Sequence, residues 1–437
     1  MYTYISTYFT KNNYLNFLLC LIPASFVAGN MILNINILFL LISTIFVYRL
    51  EVLKINFHFI DKLVLLFFLF ILFSGFFNTI QNYNNDYKNL NVLIKSISYL
   101  RYLLFYLVIR FLIEKNIINY KYFFLSASIF PILVAFDIFI QFYFGKDIFG
   151  FEPIGRRFAG PFNDELIAGG YLQRFSLFSI FFISIFYKTN KNFLNILIVL
   201  TYLIFLISIL LSGNRMPLVI FIFISFLLLL FRKDNLKYLS LLILIFCTII
   251  YVSIKNDKIF KKYDGPIYQN LHSFISEVDK LSLIFTPEKI VREEMPERFR
   301  EFETFYDTWL MNKYIGGGLK SFRIICPKRE NIDLQYGERD TCNTHPHNYY
   351  LEILADLGMI GLLILSTIFL LILYFYFKKK NFYKNIDNNV SIPFFLLFIA
   401  EIFPIKSTGS FFTTGNSTYI FMILAFVVAF NLSKKIR

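Results

Sequence analysis

The sequence predicts an all-α polytopic membrane protein, with about twelve transmembrane helices and one large loop on the outer side. Composition is the first reason: 57% of the 437 residues are hydrophobic, mean hydropathy is +0.60, and phenylalanine alone occurs 58 times. The second is periodicity, because apolar runs of about 20 residues recur along the chain, each long enough to cross a hydrocarbon core. The third is that lysine and arginine crowd into alternate connections between those runs.

The runs place membrane helices near 13–30, 31–50, 62–81, 93–113, 120–144, 170–187, 192–212, 215–231, 236–254, 346–377, 391–407 and 416–432. Only Gly29-Asn30 divides the first two, so a re-entrant pair is the alternative there. No cleavable signal peptide is expected, since no small-x-small site follows the first run. With the N-terminus inside, the inner connections carry Arg49, Lys54 and Lys62, then Arg110, Lys115 and Lys121, then Lys188 and Lys191. Arg232, Lys233 and Lys237 follow, then Lys378, Lys379, Lys380 and Lys384, and finally Lys434, Lys435 and Arg437. The short outer connections hold few: Lys88, Lys146, Arg156, Arg157, Arg215 and Lys406. The net charge of +14 is therefore mostly a topology signal rather than the footprint of a nucleic-acid partner.

Three segments result: helices 1–9 over 1–254, the outer loop over 255–345, and helices 10–12 over 346–437. The loop mixes both charge signs. Glu293 to Glu303 reads as a polar helix running towards Trp309, and Gly316-Gly317-Gly318 breaks it. Cys326 and Cys342 fall in this loop, whereas Cys20 and Cys247 lie within membrane helices. An oxidising periplasm permits a Cys326–Cys342 bridge.

The most informative stretch runs from Cys342 through His345-Pro-His347-Asn348 to Gly361 and joins the loop to the tenth helix. Pro346 suits the first helical position, with Thr344 or His345 as cap. His347 then lies in the first turn, where the helix field favours a neutral imidazole. Asn348, Glu352 and Asp356 recur every fourth residue and form one polar stripe. An acid two turns into a membrane helix is costly unless it lines a cavity. The plain alternative is an interfacial helix end with no chemistry. A zinc site on His345 and His347 lacks a third ligand at suitable spacing.

Other outer positions add cations. Arg156-Arg157 leads into the sixth helix, Ser212-Gly-Asn214-Arg215 turns between the seventh and eighth, and Arg298 and Arg300 sit in the loop. A boundary arginine can simply snorkel to headgroups. Arg215 is harder to dismiss, being a lone cation where the inside-positive bias disfavours one. Several arginines near a helix N-terminus would receive a phosphate-rich anion. A base beside a diphosphate clamp suits glycosyl transfer from a lipid diphosphate. The sequence has no Asp-x-Asp pair to hold the diphosphate through a metal, so arginines would take that role and no cofactor is implied.

His345-Pro-His-Asn-Tyr-Tyr-Leu-Glu352 to Gly361 resembles the His-Asn-x-Tyr-Leu-Glu-x-x-x-x-x-Gly-x-x-Gly signature of the O-antigen ligase and O-antigen polymerase superfamily. Ser212-Gly-Asn-Arg215 is similar to its Ser/Thr-Gly-Ser-Arg turn, with Asn214 in place of serine. Arg298-Phe-Arg300-Glu-Phe302, with phenylalanine where tryptophan is common, and Ile315 to Phe322, including Gly318, resemble its loop motifs. Arg157-Phe-Ala-Gly-Pro-Phe162 matches its Arg-x-x-Gly-x-Phe entry. The resemblance implies a metal-independent transferase of the bacterial inner membrane, active at the periplasmic face. Its donor would be a glycan on undecaprenyl diphosphate. Lipid A–core as acceptor makes it a ligase, the reading slightly preferred, and a second lipid-linked repeat unit makes it a polymerase. His347 corresponds to the catalytic base, with His345 and Glu352 beside it. Arg215 and Arg298, aided by Arg157 and Arg300, correspond to diphosphate binders, with Asn348, Asn214 and Gly318 in support. A flippase for lipid-linked sugars is the competing class. Against it, there is no internal repeat, and the polar residues gather on one face. Purified protein separates the two classes, because a flippase makes no new bond.

The charge alternation gives a direct expectation. Cysteine probes placed at Lys258 or Lys289 should react with a membrane-impermeant reagent in intact cells. Reaction only after the inner membrane is permeabilised would overturn the orientation.

Overall fold

The computed structural model describes residues 11–81, 90–186, 191–231, 266, 269–273, 297–329, 342, 347–378, 390–404 and 409–432. In chain order the helices are α1 (Lys11–Cys20), α2 (Ile22–Ala28), α3 (Asn30–Tyr48), α4 (Phe59–Gln81), α5 (Leu90–Glu114), α6 (Tyr120–Phe144) and α7 (Ala168–Phe186). They continue with α8 (Lys191–Leu211), α9 (Arg215–Phe231), α10 (Glu297–Leu310), α11 (Phe322–Ile325), α12 (Tyr349–Lys378), α13 (Ser391–Glu401) and α14 (Thr414–Leu432).

Among the described residues, eight helices are long and apolar enough to cross a membrane, namely α3 to α8, α12 and α14. α9 and α13 are apolar but shorter. The predicted span at 236–254 and most of the 255–345 loop lie outside the described residues. The predicted first span is divided into α1 and α2. Pro23, the second residue of α2, lacks the N–H that would continue the ladder from α1. Gly29, at φ 102°, then separates α2 from α3.

The chain forms two compact units. The first comprises Met1–Leu40, Ile117–Pro287 and Asn381–Glu401. Here α7 packs against α6 and α8. The rings of Phe124, Phe178 and Phe394 meet edge to face, with centroids 5.1 to 5.8 Å apart. Arg174 of α7 pairs with Glu401 at the end of α13 at 2.8 Å, and both side chains are largely buried.

The second unit comprises Leu41–Asn116, Glu288–Lys380 and Ile402–Arg437. α5 lies along α14, α4 along α12, and α10 rests on α12. Tyr99 of α5 bonds Ser417 of α14 at 2.9 Å inside a cluster with Phe68 and Phe421. Near the other end of α5, Asp61 receives two bonds from Arg110 (3.0 and 3.1 Å), one from Tyr106 (2.5 Å) and one from the His58 amide (2.9 Å). A charge pair is tolerated in an apolar bundle only when its lone pairs and protons are satisfied in this way.

Removing one partner strands the other. Asp61→Ala should cost about 3–5 kcal/mol, read as a lower thermal midpoint in detergent. Undiminished stability would show that the clamp contributes nothing.

Candidate active site

The site in the second unit is built on the first two turns of α12. The helix opens at Tyr349, three residues later than the sequence suggests. Asn348 is its cap: its Oδ1 accepts from the amides of Tyr350 (2.9 Å) and Leu351 (3.2 Å). A short carboxamide that takes up the free amides defines the start of a helix. The other end of the same group, Nδ2, donates to the Pro404 carbonyl at 2.9 Å. His347 therefore stands just ahead of the first turn rather than within it. It is half-buried, with φ 51° in the left-handed region that few non-glycine residues occupy. Thr344, His345 and Pro346 lie outside the described residues.

α12 is interrupted at Gly358, whose φ of 65° and ψ of −170° are not helical. Residues 313–318 fit into the break. Gly317 N–H donates to the Ala355 carbonyl at 3.0 Å and Gly318 N–H to that of Asp356 at 2.8 Å. The Lys313 and Tyr314 carbonyls accept from Met359 (2.8 Å) and Ile360 (3.2 Å). The helix ends freed by the interruption are thus satisfied by another segment. A Cβ at Gly316 would overlap the backbone of Asp356 and Leu357, and one at Gly358 the backbone of Tyr314 and Ile315. The triple glycine is a docking surface rather than the break in α10, which already ends at Leu310.

The polar stripe fixes neighbouring segments. Asp356 accepts from the Lys320 amide at 2.7 Å and the Ser321 hydroxyl at 3.4 Å. Glu352 accepts from the Ser410 hydroxyl and the Phe411 amide. Both acids are buried, and their oxygens are engaged inside the unit. Lys320, held at φ 56°, is half-buried. Burial pushes its ammonium below the ordinary value, and Glu352 and Asp356 oppose that shift.

Cys326 and Cys342 are bridged, with Cα atoms 5.7 Å apart. Cys326 is buried in a small core with Phe305 of α10, Phe322 of α11 and Ala355 of α12. The bridge ties this core to a residue five positions before His347. Arg298 and Arg300 belong to the first turn of α10, and their side chains lie outside the described residues.

In the first unit, the Arg157 segment lies against the 212–215 turn. Ile154 and Arg157 exchange amide–carbonyl bonds at 3.0 and 3.1 Å, and Phe158 N–H reaches the Leu211 carbonyl at 3.3 Å. Asn270 Nδ2 donates to the carbonyls of Arg156 (3.2 Å), Leu210 (3.1 Å) and Leu211 (3.3 Å). Asn214 accepts from Gly169 N–H at 3.1 Å and donates to the Leu166 carbonyl at 2.9 Å. It thereby holds the start of α7, a reach that the shorter side chain of serine would lack. Arg215 is the first residue of α9 and is half-buried.

Residues 200–366 match the family model described as O-antigen ligase. The match covers less than half of the chain and makes this segment similar to that family. No curated protein matches the chain. The matched segment contains Asn214, Arg215, Arg298, Gly318, His347, Asn348 and Glu352, while Arg157 precedes it. Sequence reading passed over Ser410 and Phe411, which hold Glu352, and Lys320; in the first unit it passed over the buried Arg174–Glu401 pair. Glu401 did carry a signal, as a lone acid in an apolar run.

Gly358→Ala should cost about 3 kcal/mol or more, combining a left-handed alanine with overpacking. Gly170→Ala, where a Cβ meets nothing within 4 Å, is the control. Equal thermal midpoints for the two variants would remove the interlock as a stabilising contact.

Proposed function

We propose that this protein moves a glycan from undecaprenyl diphosphate to a sugar hydroxyl at the periplasmic face of the bacterial inner membrane, with lipid A–core as acceptor. The observation that carries this reading is His347 at the mouth of the Asn348-capped helix, inside the segment similar to the O-antigen ligase family. The twelve-span topology and the outward-facing loop belong to the same proposal. So does the disulfide's compartment: Cys326 and Cys342 would be oxidised outside the cytoplasm.

In the proposed step His347 takes the proton of the acceptor hydroxyl as its oxygen attacks the donor's anomeric carbon. The bond from that carbon to the diphosphate oxygen breaks, and undecaprenyl diphosphate leaves with the electron pair. Arg215 and Arg298, with Arg157 and Arg300 in support, stabilise the charge that develops on it, without a metal ion. Glu352 acts as a positioning residue, holding the 410–411 segment beside the start of α12. A polymerase would use the same chemistry on a second lipid-linked unit. Surface polysaccharide from a deletion strain separates the two: bare core with accumulating lipid-linked polymer marks a ligase, and core with a single repeat marks a polymerase.

His347→Ala should lower turnover about 100-fold or more, the scale of a general base, while His345→Ala should be milder. Arg215→Ala and Arg298→Ala should each weaken donor use by about 1.5–3 kcal/mol, with folding intact. Chelators should have no effect. A dead His345→Ala beside a near-normal His347→Ala would move the base to His345, and activity in both would remove the centre.

A further inference from the structure

A cavity of about 200 Å³ opens in the second unit, where the end of α4, the first turn of α5 and residues 311–328 meet. Its lining includes the polar side chains of Asn78, Gln81, Asn312 and Lys328 and the aliphatic ones of Val92, Ile324 and Ile325. Two of the polar groups are held by hydrogen bonds. Asn312 Nδ2 donates to the Gly316 carbonyl (2.7 Å) and to Asn78 Oδ1 (3.3 Å), and Asn78 Nδ2 reaches the same carbonyl at 3.0 Å. These bonds occupy amide hydrogens. The Asn312 side-chain oxygen, the Gln81 carboxamide and the Lys328 ammonium have no protein partner among the described residues. The Cys326–Cys342 bridge fixes the stretch from Ile324 to Lys328.

This chemistry is selective. Among the described residues no carboxylate lines the cavity, as a cation site would need. Among those residues one ammonium beside carboxamides is too little charge for a diphosphate. Adjacent hydroxyls each donate and accept, and the mixture of free amide oxygen, intact carboxamide and ammonium matches them. A sugar ring also has an apolar C–H face, which the aliphatic part of the lining complements. The volume lies below that of a pocket for a drug-sized ligand and suits a single ring.

We propose that this cavity is a sugar subsite holding one pyranose unit of the glycan substrate, an assignment that rests on the glycosyl-transfer reading above. Gly317, of the glycine segment that docks on α12, lines the cavity, so a sugar seated there belongs to the same unit as His347.

Two variants test it without disturbing the core. Met311, a lining residue, is 49% exposed, so Met311→Trp fills the cavity from its rim. Gln81→Ala removes a free carboxamide at the exposed end of α4. Each should raise KM for a glycan-bearing substrate about tenfold, the scale of one hydrogen bond, with kcat near wild type. Binding of undecaprenyl diphosphate, which carries no sugar, should not change. Wild-type KM in both variants would overturn the subsite even if transfer itself is confirmed. Saturation-transfer NMR with methyl β-galactoside and methyl N-acetyl-β-glucosaminide, on full-length His347→Ala protein, reports on the cavity apart from the reaction. Contact that disappears when Met311→Trp is added supports the subsite whether or not the protein proves to be a transferase. Absence of contact with both glycosides removes it.

Discussion

The interlock between the 313–318 segment and the break in α12 is the constraint on which the candidate site depends. Two backbones approach more closely than any side chain allows, with Gly316 on one and Gly358 on the other. The approach lets amides of one segment satisfy carbonyls exposed by the interruption, and the reverse. A buried polar backbone left unpaired there would be expensive. Once docked, the segment delivers Lys320 and Ser321 to Asp356 and brings Phe322 and Cys326 into a core with Ala355.

The buried acids follow the same economy. Asp61, Glu352 and Asp356 each stand in an apolar helix, and each is met by several donors from another segment. The acid becomes a fastening because a buried carboxyl that can find no water must find its hydrogen-bond partners in the protein. The four-residue spacing of Asn348, Glu352 and Asp356 thus places three fastening points on one face of the opening turns of α12. They hold residues 404, 410–411 and 320–321 respectively.

Helical class and most spans were legible because long apolar runs leave few alternatives. Their edges were less so. The opening of α12 was misplaced because Pro346 is a generic start signal, while Asn348 takes two free amides and prevails. The polar stripe was visible as a spacing, but what each acid holds was not, since Ser410 and Lys320 come from distant parts of the chain. The pairing of Cys326 with Cys342 could be anticipated from shared sidedness. Lys320 gave no signal, because a left-handed lysine looks like any other in sequence.

The double duty of Asn348 bears on why asparagine directly follows the histidine. Aspartate, serine and threonine all cap helices through an oxygen. An ionised aspartate, however, has no hydrogen to offer the Pro404 carbonyl, and a hydroxyl is too short to cap and tether in opposite directions. The planar carboxamide does both with one rigid group, oxygen towards the helix and nitrogen towards residue 404. The histidine is thereby attached to two parts of the unit through its neighbour.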